Sequence, residues 1–235
     1  MIIDSSTLNQ TTAYKLLIGS ILPRAIGWVS TQSRDGVANL APISFFTAVG
    51  RMPPIISLSL QPRSDGVTLK DTFINIRDTG EFVVNMATLE QAHHMHRSAF
   101  EFDSDIDEFA AIGLEKDPSV VVRPPRVKGA PIALECKLER IIPMGEVDNV
   151  VFGEVVRFHI RDDVYLAGGR IDTGALQAVG RLAAEYTLVH NAFTTPLDEE
   201  LLASLRGRRA GRLDGHEDGY SPIDSKEWSA SGATR

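Results

Sequence analysis

The chain has 235 residues, 43% hydrophobic and 23% charged, so it is long enough to bury a sizeable core in one large domain or two small ones. A formal net charge of −7 argues against general nucleic-acid binding, because neutralising phosphates takes a basic surface. The single cysteine, Cys136, excludes an intrachain disulfide framework and a Cys-rich zinc site, and its apolar alternating surroundings read as those of a buried structural thiol.

The N-terminus has no basic segment followed by a long apolar one, so no signal peptide is expected. No apolar stretch approaches the roughly 20 residues needed to span a bilayer, and a soluble, cytoplasmic protein is the expectation. Thr11 or Thr12 is a candidate cap for a short helix reaching residue 20, with Tyr14, Leu17, Ile18 and Ile21 on its apolar side. Strands are predicted at 25–32, 38–49 and 55–61, with Asp35-Gly36 turning the first pair and Pro53-Pro54 bending the second. Residues 68–77 place Leu69, Phe73 and Ile76 at helical spacing, and Gly80 is the expected C-cap. A strand at 81–87 follows. Thr88 is expected to cap a helix reaching about residue 99, with Gln91 completing a capping box.

The acidic run 103–108 reads as a solvated loop and cap. Residues 119–127 read as a strand that Pro124-Pro125 confines to an edge. Two strongly alternating strands are predicted at 132–142 and 150–160, joined by a turn at 145–149. Past residue 196 a helix at 198–206 leads into a polar, Gly-rich stretch. The domain is therefore drawn at 1–195, with a tail at 196–235 that is disordered alone or packed on a partner subunit. Many short strands and few helices, without βαβ alternation, predict a mainly β fold with peripheral helices closed into an antiparallel barrel.

The dinucleotide, nucleotide-hydrolase and hydrolase-elbow motifs GxGxxG, GxxxxGK[ST] and GxSxG are absent. Lys70, Asp71 and Thr72 open the 68–77 helix, where unpaired N–H groups and the helix dipole favour an anion, and Arg63 lies just upstream. That arrangement fits a monophosphate site, although on spacing alone an ordinary solvated helix start is the favoured reading. In the first hairpin Trp28, Ser30 and Thr31 face Asn39, Pro42 and Ser44. Such a wall fits the edge of a flat heteroaromatic ring, with Trp28 and Phe45 near it, or simply a solvent-facing strand. His93 and His96 are three apart, but no cysteine or carboxylate completes a metal set at a convincing distance, Glu90 being only a possible third group, so a polar helix face or one pocket-lining histidine is the favoured reading. In the irregular stretch 169–186, Arg181 fits a phosphate or carboxylate contact, or a dimer contact.

The order of these pieces is more specific than any one of them. Pro23-Arg24, GWVST (27–31), the Asp-Gly turn, NLAPISFF (39–46), Pro53-Pro54, KDT (70–72), TGEFVVN (79–85), EF..IGL (108–114), VVFGEVVRFHI (150–160) and VGRLAAEY (179–186) together resemble the flavin reductase-like family of FMN-binding split barrels, over roughly residues 20–189. The resemblance implies a six-stranded antiparallel split barrel, a homodimer, and FMN in a groove at the subunit interface. It implies that Trp28, Val29, Ser30 and Thr31 line the flavin ring and ribityl chain, with Ala41, Pro42, Ser44 and Phe45 opposite, and that Arg63, Lys70 and Thr72 hold the phosphate. It implies NADH or NADPH as co-substrate and a monooxygenase or other acceptor as electron partner; an electron carrier or flavin store without NAD(P)H turnover is the alternative. The chain departs from the family pattern at Ala25, at Thr47, and at Ala183-Ala184, where Gly-Gly is common near the approach of a second substrate.

Overall fold

The computed structural model describes residues 1–192 and 220–223. Seven strands form one antiparallel sheet: β1 (Gly27–Gln32), β2 (Ala38–Ile43), β3 (Phe46–Arg51), β4 (Pro54–Leu60), β5 (Glu81–Met86), β6 (Ile132–Met144) and β7 (Asp148–Ile160). Their order is β2-β1-β5-β6-β7-β4-β3. The two edge strands, β2 and β3, are consecutive in the chain and joined only by Ser44-Phe45. So short a link forces the sheet to curl until its edges meet, and the Ser59 N–H on β4 donates to the Phe45 carbonyl at 2.9 Å, carrying the β3–β4 ladder one residue into the link. This barrel differs from the single strand expected at 38–49: the break at Ser44-Phe45 turns one predicted strand into the two edges of the closure.

Alternation explains the interior. Ile56, Leu58 and Leu60 on β4, Phe82 and Val84 on β5, Leu134 and Cys136 on β6, and Val151 and Val155 on β7 project into one core. Gly153 fits the series because a Cβ there would overlap the ring of Phe82. The hairpin β1–β2 is covered on both faces. Val29 points into the barrel, whereas Trp28 and Leu40 join a second cluster with Met95, Phe109 and Ile112 outside it.

The helices around the barrel are α1 (Gln10–Ser20), α2 (Asp71–Thr79), α3 (Ala92–Arg97), α4 (Glu108–Ile112) and α5 (Thr173–Leu176). Asn9, not Thr11 or Thr12, caps α1, its side chain accepting from the Thr12 N–H at 2.8 Å. Helix α2 buries Phe73 and Ile76 in the barrel core and ends at Gly80 in the left-handed conformation (φ 72°), the expected cap. A small sheet joins Arg24–Ala25 to β8 (Val179–Arg181) and β9 (Tyr186–Leu188).

The strand expected at 119–127 does not form; only the short pair Lys116–Asp117 and Arg126–Val127 is present. The N–H groups of Val120, Val121 and Val122 instead converge on the fully buried carboxylate of Glu135 at 2.8, 2.6 and 3.0 Å. The predicted helix at 198–206 and most of the tail lie outside the described residues. Of the rest, Ser221–Pro222 pairs with Asn191–Ala192 of the same chain, and Ile223 is buried.

Candidate functional site

A groove runs along the outer side of β2 past the start of α2. Its narrower end, about 110 Å³, is bounded by Asn39, Ala41, Arg63, Lys70, Thr72, Glu101 and Glu108. Its wider end, about 270 Å³, is bounded by Tyr14, Arg24, Ser44, His96, Arg181 and Tyr186. Pro42, Lys70 and Ala99 border both, so the two ends are one continuous depression.

The local sequence builds the narrow end. The Asp65 carboxylate accepts from the Val67 and Thr68 N–H groups at 2.9 and 2.8 Å and closes a tight turn. The chain then leaves the turn extended at Lys70 (φ −68°, ψ 145°), which occupies the N-cap of α2 and makes no side-chain capping bond. The Asp71 and Thr72 N–H groups have no acceptor among the described residues, so they and the helix dipole favour an anion there. Lys70 makes no ion pair among the described residues. Burial pulls its ammonium below the ordinary lysine range; the Glu101 carboxylate opposes that shift, Arg63 reinforces it, and Glu108 opposes it. A half-buried, unpaired ammonium beside an uncapped helix start gains energy when an anion arrives.

The other two expected phosphate contacts are already engaged. Arg63 pairs with Asp71 and donates Nη1–H to the Phe102 carbonyl at 2.9 Å. The Thr72 hydroxyl gives its proton to Asn39 Oδ1 at 2.9 Å. Thr72 therefore faces an anion with its backbone N–H rather than its hydroxyl.

Two carboxylates that the sequence did not single out share this end. Glu101 is pinned by Ser64, from N–H at 2.6 Å and Oγ–H at 2.9 Å, which holds it below the usual carboxylate range. Glu108 corrects the reading of 103–108 as solvated throughout. It is 6% exposed and accepts the Leu40 N–H. Burial pushes its carboxyl up to about 7, against the pull of the Leu40 N–H.

Trp28, Val29, Ser30 and Thr31 belong to the interior rather than to the groove wall. Trp28 Nε1–H donates to Ser98 Oγ at 2.8 Å, Ser30 Oγ–H donates to the Pro125 carbonyl at 2.5 Å, and Thr31 bonds Asn39 at 3.0 Å; all four residues are 0% exposed. Their strand pairs along its length with β2, which presents Ala41 and Pro42 to the groove, with Ser44 of the following link beside them. Phe45 stacks near Tyr14, with ring centroids 6.4 Å apart, at the wide end. Of the histidines, His96 borders the groove and bonds the Tyr186 hydroxyl at 3.0 Å, while the His93 and His94 rings meet edge to face. Among the described residues no three His, Cys, Asp or Glu side chains are grouped to hold a metal ion.

The antiparallel barrel is of the split-barrel flavin reductase type. The chain belongs to that class: the model of the flavin reductase like domain matches residues 18–175, so it is a member of the flavin reductase-like family. It is 40% identical over 175 residues to an uncharacterized protein of Aquifex aeolicus, covering 74% of this chain and 88% of that one. Among solved structures it is similar to nitrilotriacetate monooxygenase component B from Bacillus cereus, with a TM-score of 0.79 and 34% identity over 83% of this chain and 98% of the other. It is also similar to the 2-nitrobenzoate 2-nitroreductase of Pseudomonas fluorescens, with a TM-score of 0.76 and 31% identity over 85% and 97%.

Proposed function

We propose that the groove holds FMN, its phosphate at the start of α2 and its ring toward Pro42, Ser44 and Phe45, and that the protein is an NAD(P)H-dependent flavin reductase serving an oxygenase or another acceptor. The observation that carries this is Lys70: a half-buried ammonium without an ion pair among the described residues, beside two unbonded N–H groups, at one end of a groove with an aromatic-walled recess at the other. The family supports a flavin, and the similarity to a monooxygenase component supports an oxygenase partner. Asp71 and Glu101 at the narrow end disfavour a second phosphate, which favours FMN over FAD.

Bound flavin supplies the hydride and electron chemistry; the chain binds, orients and desolvates. Lys70 neutralises the phosphate, the Asp71 and Thr72 N–H groups donate to it, and Pro42 with Phe45 limits water at the ring. No proton-transferring side chain is required of the protein. The reading includes a homodimer. The exposed Leu16 and Leu17 in the C-terminal half of α1, with the exposed Ile21 and Leu22 just after it, beside the wide end of the groove, support it. No described helix is long and apolar enough to cross a membrane.

The test is spectroscopic. The purified protein is examined for a flavin spectrum, supplied with FMN if colourless, and mixed with NADH or NADPH without oxygen. Bleaching within seconds supports the reductase. A yellow protein that stays oxidised assigns electron carriage or flavin storage instead. A protein that takes up no FMN contradicts the flavin reading altogether.

A further inference from the structure

The wide end of the groove has a one-sided charge. Arg24 and Arg181 stand directly opposite each other in the ladder of the small sheet, and Lys70 borders the same recess, yet no Asp or Glu lines it. Like charges directly opposite each other destabilise a sheet. Arg24 is committed to the fold: it is buried, and it donates to the Ile18 and Leu182 carbonyls at 2.7 Å each. Arg181 is not. Among the described residues its side chain makes no ion pair and no hydrogen bond. Its guanidinium lies 4.7 Å over the ring of Tyr186, its cross-strand partner. The Tyr186 hydroxyl is in turn bonded to His96 Nδ1 at 3.0 Å. The nearby Glu185 is exposed, on the tip of the β8–β9 turn, and does not line the recess.

A histidine thus holds a tyrosine, the tyrosine positions a guanidinium, and the donor edge of that guanidinium is left free. Such a planar fork matches the two oxygens of a carboxylate or phosphate. We infer that Arg181 recognises the oxyanion of the second ligand of this groove, the molecule that exchanges electrons with the flavin. What that ligand meets there rests on the flavin reading above; the anion preference rests on Arg181 alone. The ligand is then a small planar molecule bearing a carboxylate, or a dinucleotide presenting its phosphates.

Calorimetric titration of the chain uses benzoate and benzamide as probes without and with FMN, and NADH as a probe without FMN, where it has no hydride acceptor. Wild type is expected to bind benzoate or NADH at least ten-fold more tightly than benzamide. Arg181→Gln is expected to abolish that difference, and Arg181→Lys to restore part of it, with unfolding midpoints matching wild type. A loss confined to benzoate assigns a free carboxylate, and a loss confined to NADH assigns dinucleotide phosphate. If benzamide binds as well as both anions, or if a folded Arg181→Gln binds all probes as wild type does, the inference is overturned. A chain that takes up no FMN yet binds an anion through Arg181 sinks the flavin reading and leaves this one standing.

Discussion

The Thr72 hydroxyl donates its only proton to Asn39 Oδ1 at 2.9 Å, and that same oxygen accepts from the Thr31 hydroxyl at 3.0 Å. Asn75 Nδ2–H completes the chain by donating to Thr31 Oγ1 at 3.0 Å. These buried groups tie the start of α2 to the β1–β2 hairpin. Thr72→Val is therefore expected to cost about 1–2 kcal/mol of stability in urea unfolding, as loss of a buried hydrogen bond does, while FMN affinity changes less than about two-fold. A large loss of FMN affinity at unchanged stability would put the hydroxyl on the phosphate instead.

Glu108 makes stability depend on pH. Its folded carboxyl titrates at about 7 against an ordinary 4.5. Between those values the folded chain holds a proton that the unfolded chain releases, so stability is greatest at the acid end and falls as pH rises, levelling off above 7. The full contribution is about 3 kcal/mol. Glu108→Gln keeps an acceptor for the Leu40 N–H and removes the slope. Urea unfolding at pH 5 and pH 8, wild type beside variant, reads the difference.

Glu135 has the opposite sign. Burial alone raises its carboxyl, but the Val120, Val121 and Val122 N–H groups and His159 outweigh burial and hold it below the ordinary value. Its contribution is present above pH 4.5 and is lost as pH falls through the depressed folded value. Glu135→Gln sets an amide against those donors and is expected to cost about 2–4 kcal/mol. Hydrogen exchange should quicken first at Val120–Val122; uniform exchange across the barrel would contradict the local role.

Gly153 and Phe82 form a packing pair. Gly153→Ala drives a methyl into the Phe82 ring and is expected to destabilise by about 1–3 kcal/mol. Phe82→Leu in the same chain should recover part of that loss. Additive losses in a double-mutant cycle would show that the two sites do not communicate.

How much was legible in the sequence follows the range of the forces involved. The C-cap at Gly80 and the alternation of β6 and β7 are local and could be read directly. The start of α2 moved from residue 68 to Asp71 because Asp65 traps the Val67 and Thr68 N–H groups in a turn. The helix expected after Thr88 begins only at Ala92, since Thr88 is bridged to Ala178 and the Leu89 N–H donates to the Gln177 carbonyl, partners nearly ninety residues away. The buried polar side chains of the first hairpin depend on distant partners too. Trp28, Ser30 and Thr31 find their partners in Ser98, Pro125, Asn39 and Asn75, mostly remote in sequence.

The candidate site was legible in type but not in detail. Lys70 at a helix start is a spacing signal, and it stands in the groove. Glu108 gives no such signal, because an acid at a helix start looks the same whether solvated or buried. Arg24 and Arg181 are brought together only by the pairing of strands more than 150 residues apart, as the 158-residue separation of the Arg24–Leu182 bond shows.

The central claim is that Lys70 and the start of α2 receive the phosphate of FMN. It is tested most directly by titrating wild type and Lys70→Met with FMN and with riboflavin, which lacks the phosphate. Wild type is expected to prefer FMN by roughly 1–3 kcal/mol, the value of a charge-assisted hydrogen bond, and Lys70→Met to lose most of that preference while binding riboflavin as before. Equal affinity of wild type for the two flavins, or an FMN preference that survives Lys70→Met intact, would contradict it.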